Sequence, residues 1–396
     1  MLCSRTESSS QLATMAEAAG AAVPAPLHRG LPDEIVVWEI LVRLPRKAIL
    51  RCRAVCPAWR RATSTRDFLL AHHGRQPTFP LFYAYEKGDE GRNTILDIIP
   101  LGHRAALTTD DQLPPAARLG TAFFYMEASC DGLLVLSMNY RRFCICNPAT
   151  RQYAPLPLLH DFSILGMYLH SPTGRYRLLL NKLTDLIQHE DLPTAEYPCH
   201  VFTIGSGELP RRIGCPDAET LLIYTRVSLM LHGSLHWSKG QMIIVFDTTA
   251  ESFRQMHPPI VSGDHDLFEI DGKLGMYSLN DEATIMAIWV MQDYQGEVWA
   301  FKHRVELPVA EVTAQFEEFD NHLNIVVESL DGDMLVLVRF GNYLLQVDIN
   351  GKLVASFHRR CRRCLGLTQL RLKQTLVSHS FFPTLEGYVV NASPFI

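Results

Sequence analysis

Residues 76–396 carry short apolar runs broken by Gly, Asp, Asn and Pro, with little helical spacing of the hydrophobic positions. That rhythm predicts strands joined by tight turns. Similar pieces recur: "CDGLLVL" at 130, "LHGSLHW" at 231, "IDGKLGM" at 270 and "LDGDMLVL" at 330 each set a turn ending in Gly ahead of a strand. Three longer pieces, "FCICNPATRQYAPLP" at 143, "MIIVFDTTAESFRQMHPP" at 242 and "YLLQVDINGKLVASF" at 343, run a strand into Asn147, Asp247 or Asp348, then a turn, then another strand. The N-terminal pattern is different. In "DEIVVWEILVRL" (33–44), at 100° per residue, Ile35, Trp38 and Val42 fall on one stripe and Val37, Ile40, Leu41 and Leu44 on another, separated by Glu34 and by Glu39 and Arg43. Pro32 suits the first turn of this helix and Pro45 stops it. A second helix is predicted from about Lys47 to Arg53, and a third opens at Pro57 and carries Trp59.

The Gly-turns stand 101, 39 and 60 residues apart, and the longest gap has room for a further unit at "SPTGRYRLLL", 171–180. A four-stranded antiparallel unit recurring about every 40 to 50 residues is the mark of a β-propeller. The predicted fold is therefore mainly β: a three-helix module at 29–75, then a propeller of six or seven four-stranded blades at 76–396. A propeller closes by pairing strands from both ends of its chain, so 76–100 is expected to share a blade with 375–390. Residues 1–28, rich in Ala and Ser and without the basic start and apolar core of a signal peptide, are expected to be a disordered tail. A helical module of about 45 residues cannot bury two apolar stripes by itself. The second stripe needs either the large domain or another protein.

At 47% hydrophobic and 20% charged residues the composition is that of a folded globular chain. The longest apolar run, "ATIMAIWVM" at 283–291, is too short for a membrane helix, so no membrane association is expected. Ten cysteines scattered through apolar surroundings, among them Cys52, Cys130, Cys144, Cys146 and Cys199, fit a reducing compartment, the cytoplasm or nucleus. Charge divides unevenly. Residues 31–75 hold nine Arg and Lys against four Asp and Glu, a net of +5, while 76–396 carries −10 of the total −5, since 1–30 balances. An acidic body repels phosphate, so the basic module points to an acidic protein partner rather than nucleic acid.

Catalytic and metal motifs fail on inspection. His232 and His236 are four apart, as in a zinc helix, but Gly233 lies between them, no adjacent Glu serves as base, and the stretch alternates like a strand. They read as a turn histidine and a packed strand histidine. "GSGELPRR" (205–212) lacks the Gly-Lys pair of a phosphate loop and reads as a hairpin turn. Cys361 and Cys364 have no second ligand pair, and Asp110, Asp111 and "GDHD" at 263–266 sit in turn-rich, solvated segments. No GxSxG elbow occurs. No catalytic residue, metal or cofactor is expected.

The stretch "LPDEIVVWEILVRLPRKAILRCRAVCPAWRRATSTRDFLLAH" (31–72) resembles the F-box in order and spacing: Leu31, Pro32, Ile35, Glu39, Ile40, Leu41, Leu44, Pro45, Leu50, Arg53, Val55, Cys56, Trp59 and Phe68. The resemblance implies a three-helix motif that docks on a Skp-type adaptor and, through it, a cullin. The implied adaptor-binding residues are Leu31, Pro32, Ile35, Ile40, Leu41, Leu44, Pro45, Leu50, Arg53, Val55, Cys56 and Trp59. "CDGLLVL…FCICNPATRQYAPLP" is similar to the F-box-associated domain of plants, with its NPxT corner; Asn147, Pro148 and Thr150 are expected to hold a tight turn by side-chain to backbone hydrogen bonds. Together these imply a substrate-receptor subunit of an SCF ubiquitin ligase. Its target would be held by long loops, with 101–120, 183–198 and 257–266 as candidates. The alternative is a propeller that binds a small ligand in its central channel, as sensor or enzyme. Convergent charged side chains there would favour it.

Overall fold

The computed structural model describes residues 30–87, 94–100, 115–121, 124–138, 142–156, 159–182, 199–214, 227–259, 263–310, 314, 324–330, 333–340, 343–358, 363–383 and 395. The chain divides into two compact units between Phe68 and Leu69, a few residues ahead of the expected boundary at 75.

The first unit is helical. Helix α1 (Asp33–Ile35) continues as a π turn over Val36–Ile40 and a 3₁₀ turn over Leu41–Arg43; α2 (Arg46–Val55) and α3 (Pro57–Ala62) follow. Leu44 turns to extended backbone ahead of Pro45, which ends the first segment and precedes α2. A fourth helix, α4 (Arg66–Arg75), was not among the three expected; its apolar residues are bunched at 68–71 rather than spaced along one side. Val36, Val37, Leu41, Val42, Ile49 and Phe68 are buried. The sequence wheel put Val42 with Ile35 and Trp38, and Ile40 with Leu41; the structure buries Val42 and Leu41 and exposes the other three. The cause is the π turn, which holds more residues than an α turn and so shifts the phase of every side chain beyond it.

The second unit is a ring of six four-stranded antiparallel sheets. The first contains β1 (Phe79–Lys87), β2 (Thr94–Pro100) and β3 (Ala117–Thr121). The second is β4 (Phe124–Cys130), β5 (Leu133–Met138), β6 (Arg142–Asn147) and β7 (Gln152–Leu156). The third is β8 (Phe162–His170), β9 (Arg175–Lys182), β10 (Cys199–Thr203) and β11 (Arg211–Arg212). The fourth is β12 (Leu229–Leu231), β13 (Ser234–Lys239), β14 (Met242–Asp247) and β15 (Ser252–Met256). The fifth is β16 (His265–Ile270), β17 (Lys273–Leu279), β18 (Ile285–Asp293) and β19 (Val298–Glu306). The sixth is β20 (Asn324–Leu330), β21 (Asp333–Phe340), β22 (Tyr343–Asp348) and β23 (Leu353–His358). Then β24 (Arg363–Leu372) returns to the first sheet and pairs with β1, from Phe79 opposite Leu372 to Glu86 opposite Arg363.

The ring is thus a six-bladed propeller whose first blade joins both ends of the unit. The closing strand is 363–372, not the expected 375–390. Of the latter, 375–383 is described and is irregular: Leu376, Val377 and Phe382 are buried, in adjacent rather than alternating positions. Inner strands face the axis, with β24 against β4 and β20, β4 against β8, and β16 against both β12 and β20. A blade is covered on both faces, so its strands bury apolar residues continuously, as along residues 143–146 after the exposed Arg142. Each of the six seams holds its own apolar cluster; between the fifth and sixth blades it includes Met286, Ile288, Val305, Val336 and Val347.

Three of the four recurrent Gly-turns are as the sequence suggests, and the fourth, Asp331-Gly332, lies outside the described residues. Asp131-Gly132, His232-Gly233 and Asp271-Gly272 all take positive φ between their first and second strands. At the third-strand corners a side-chain oxygen receives two backbone N–H groups: Asn147 from Ala149 and Thr150 at 2.9 and 3.3 Å, Asp247 from Thr249 and Ala250 at 2.8 and 2.7 Å, Asp348 from Asn350 and Lys352 at 2.9 Å each. The 205–212 segment turns between β10 and β11.

Candidate functional site

The helical unit leaves much of its apolar surface in water. Leu31, Ile35, Trp38, Ile40, Leu50 and Val55 are between 40% and 66% exposed. Isolated exposed apolar residues are ordinary, but six large ones on a unit this small make it a candidate docking surface. They come from the entry to α1, the π turn and α2, which are held in place by a small scaffold. Arg53 of α2 donates from Nη2 to the Thr63 carbonyl at 2.6 Å and from Nε to Thr63 Oγ1 at 3.3 Å; Thr63 Oγ1 in turn donates to the Trp59 carbonyl at 2.7 Å. Cys56 Sγ accepts the Trp59 N–H at 3.4 Å and so caps α3. Trp38 leans on Phe68, ring centroids 6.0 Å apart.

Of the twelve residues singled out in sequence, Leu31, Pro32, Ile35, Ile40, Pro45, Leu50 and Val55 are exposed. Leu44, Arg53, Cys56 and Trp59 are half-buried, and Leu41 is buried in the unit's core. Leu41, Arg53 and Cys56 therefore shape the face from beneath or beside it. Trp38, on one stripe with Ile35 and exposed like it, is a surface residue outside the twelve because the family resemblance does not single it out; Glu39 beside it forms an ion pair with Arg43 at 2.5 Å.

In the propeller, the candidate loops 101–120 and 257–266 lie outside the described residues at 101–114 and 260–262, and 183–198 lies outside them altogether. His232 sits at a turn with φ +49°, and His236 is buried on β13. His236 Nε2 is 2.7 Å from the Tyr294 hydroxyl, and burial foremost holds its pKa down at about 4, so it is a neutral packed group. Among the described residues no three His, Cys, Asp or Glu side chains converge as a metal site. Cys361 lies outside the described residues.

At the axis, β4, β20 and β24 together with Tyr83 of β1 and Leu96 of β2 line a half-open cavity of about 320 Å³, walled by Tyr83, Tyr125, Leu96, Met126, Ile325 and Leu367, with Asn324, Thr368 and Gln369 among its polar residues. Gly366 makes the Tyr83 wall feasible, since a Cβ there would come within 2.1 Å of the ring. A second space of about 30 Å³ shares Val227, Ile325, Val326 and Gln369 with the first and adds Glu269, Glu328 and Arg371. Arg371 Nη2 is 3.3 Å from Glu328 Oε2, and the Glu328 side chain is 5% exposed. Burial foremost, with Glu269 acting the same way and Arg371 opposing, raises the Glu328 pKa to about 7. Gln369 donates to Asp266.

The similarities to known proteins follow the same two units. Residues 29–70 match the F-box domain, and residues 107–340, more than half of the chain, match the F-box associated beta propeller domain. One F-box protein of Arabidopsis thaliana is 24% identical over 304 residues, 70% of this chain and 79% of that protein. F-box only protein 8 of the same plant is 24% identical over 254 residues, 60% of this chain and 82% of that one. Among solved structures, the β-propeller domain of Cps50 (Swd1) from Myceliophteria thermophila overlaps with a TM-score of 0.37 and 11% identity, over 71% of this chain and 87% of that one.

Proposed function

Because the chain belongs to the F-box proteins that carry an F-box-associated β-propeller, we propose that it is the substrate-receptor subunit of an SCF-type ubiquitin ligase in the cytoplasm or nucleus. Its helical unit docks on a Skp-type adaptor, and through it a cullin, while the propeller holds a target protein. The observation that carries this reading is the set of large exposed apolar side chains Leu31, Ile35, Trp38, Ile40, Leu50 and Val55 within residues 31–75, a segment of net charge +5. Large apolar side chains form the desolvated centre of protein interfaces, and surrounding charge steers an acidic partner onto them. In this role no side chain of the chain performs chemistry. The receptor acts by raising the effective concentration of target lysines near the ubiquitin carrier.

The double substitution Leu31→Ala and Pro32→Ala tests it. Both residues are exposed ahead of α1 and contribute nothing to the buried core, so the fold should be unaffected. Adaptor should no longer co-purify from cells, while the propeller melts at the wild-type temperature. Undiminished adaptor recovery with the double variant would sink the proposal.

A further inference from the structure

The axial cavity has a chemistry of its own, independent of the ligase reading. Its larger chamber, about 320 Å³, is at the small end of the range of ligand pockets and is mainly aromatic and aliphatic. Adjoining it, across the shared Val227, Ile325, Val326 and Gln369, is a neck of about 30 Å³, room for one group the size of water or an ammonium. Two carboxylates, Glu269 and Glu328, line that neck against a single guanidinium, Arg371. Arg371 reaches Glu328 through one nitrogen at 3.3 Å. Burial holds Glu328 part-protonated near pH 7, so it ionises fully only when a further positive charge meets it. An entering anion would face Glu269 and Glu328, and a neutral group would leave Glu328 part-protonated. A cation lets Glu328 ionise, and the Tyr83 and Tyr125 rings in the chamber suit an aromatic or aliphatic body with a positive end.

We propose that this cavity binds a small organic amine, its protonated nitrogen in the neck beside Glu328 and Glu269 and its apolar body in the chamber between Tyr83 and Tyr125. Proton linkage follows from the same geometry. The charged groups facing Glu328 are Arg371 from β24 and Glu269 from β16, while Asp266 of β16 is engaged by Gln369 and Tyr277 of β17 donates to the Ile325 carbonyl. An ammonium favours the ionised carboxylate, so binding near pH 7 releases a proton from Glu328 and tightens as pH rises.

The experiment is calorimetric titration of the full-length chain with tyramine, and with tyrosol and 4-hydroxyphenylacetate, which keep the ring but end in a hydroxyl and a carboxylate. Tyramine should bind at least about tenfold more tightly than either analogue, and more tightly near pH 8 than near pH 6, with a buffer-dependent heat that reports proton release. Glu328→Gln should weaken it by about tenfold or more and abolish the pH dependence. Asn324→Trp, at an exposed position of the chamber wall, should block tyramine without lowering the melting temperature, and decides the matter if the Glu328 variant fails to fold. Absence of saturable tyramine binding, equal binding of the three compounds, preference for the carboxylate, or full affinity in a folded Glu328→Gln or Asn324→Trp variant would each overturn the proposal. Adaptor recovery, measured on the same preparations, fails or survives separately.

Discussion

At Gly132 the backbone has φ +85°, and an added Cβ would lie 2.2 Å from the Lys373 carbonyl oxygen; at Gly233, in the corresponding turn two blades on, φ is +70° and nothing lies within 4 Å. Both positions carry the penalty of left-handed backbone for any other residue, about 1 kcal/mol or more. Only Gly132 adds a collision with backbone that cannot swing aside. Gly132→Ala should therefore cost about 2 kcal/mol more than Gly233→Ala in denaturant unfolding. Equal losses would mean that the segment after β24 yields freely. The turn itself is readable from "CDGLL", because two adjacent residues and the apolar run after them define it. Its neighbour, more than two hundred residues away, is not. Asn147 divides the same way: its local cap of Ala149 and Thr150 follows from sequence, whereas its Nδ2 donation to the Thr375 carbonyl at 3.2 Å does not.

Strands β20 and β24 meet where the sixth blade joins the first, and there Glu328 and Arg371 face each other across the inner ring. Burial outweighs the attraction of Arg371, so the folded pKa of about 7 lies above that of an unfolded glutamate. For a carboxyl raised on folding, the stabilising contribution is complete at low pH and is lost as pH rises from about 4.5 to about 7, up to about 3 kcal/mol. Glu328→Gln should remove this slope and raise the melting temperature near pH 8. A variant that melts lower than wild type at that pH would show that the ion pair stabilises the seam. The helical segment at 33–43 is an element that sequence placed correctly and phased wrongly. Its limits at Pro32 and Pro45 are local signals, but the π turn that exposes Trp38 and Ile40 and buries Leu41 and Val42 is settled by packing.

Ring closure is a property of the whole molecule. Without β24 the first blade loses the strand beside β1, and β4 and β20 lose the strand between them at the axis. Leu370 and Leu372, buried with Leu81, Ile98, Leu134 and Cys146, would leave that cluster open to water. A chain ending at residue 362 should therefore aggregate on expression and, if recovered, lack a cooperative melt. Truncation at 370, the cut suggested by an expected closing strand at 375–390, would spare most of β24 and is the weaker test. A soluble, cooperatively melting 1–362 chain would show that five complete blades and a remnant close without it.

The sequence by itself determined what depends on neighbours along the chain: short apolar strands, Gly-turns, the Asn and Asp corners, the blade-sized repeat, and the ordered apolar positions from Leu31 to Trp59. Each is written in residues a few positions apart, where backbone preference and local hydrogen bonds act. Tertiary structure alone decided that there are six blades, that 363–372 closes them, and which side of 33–43 faces solvent. It also brought Glu269, Glu328 and Arg371, from three separate blades, to one small space on the axis. Those outcomes turn on contacts between residues tens to hundreds of positions apart, and on charge taken out of water, neither of which has a local sequence pattern.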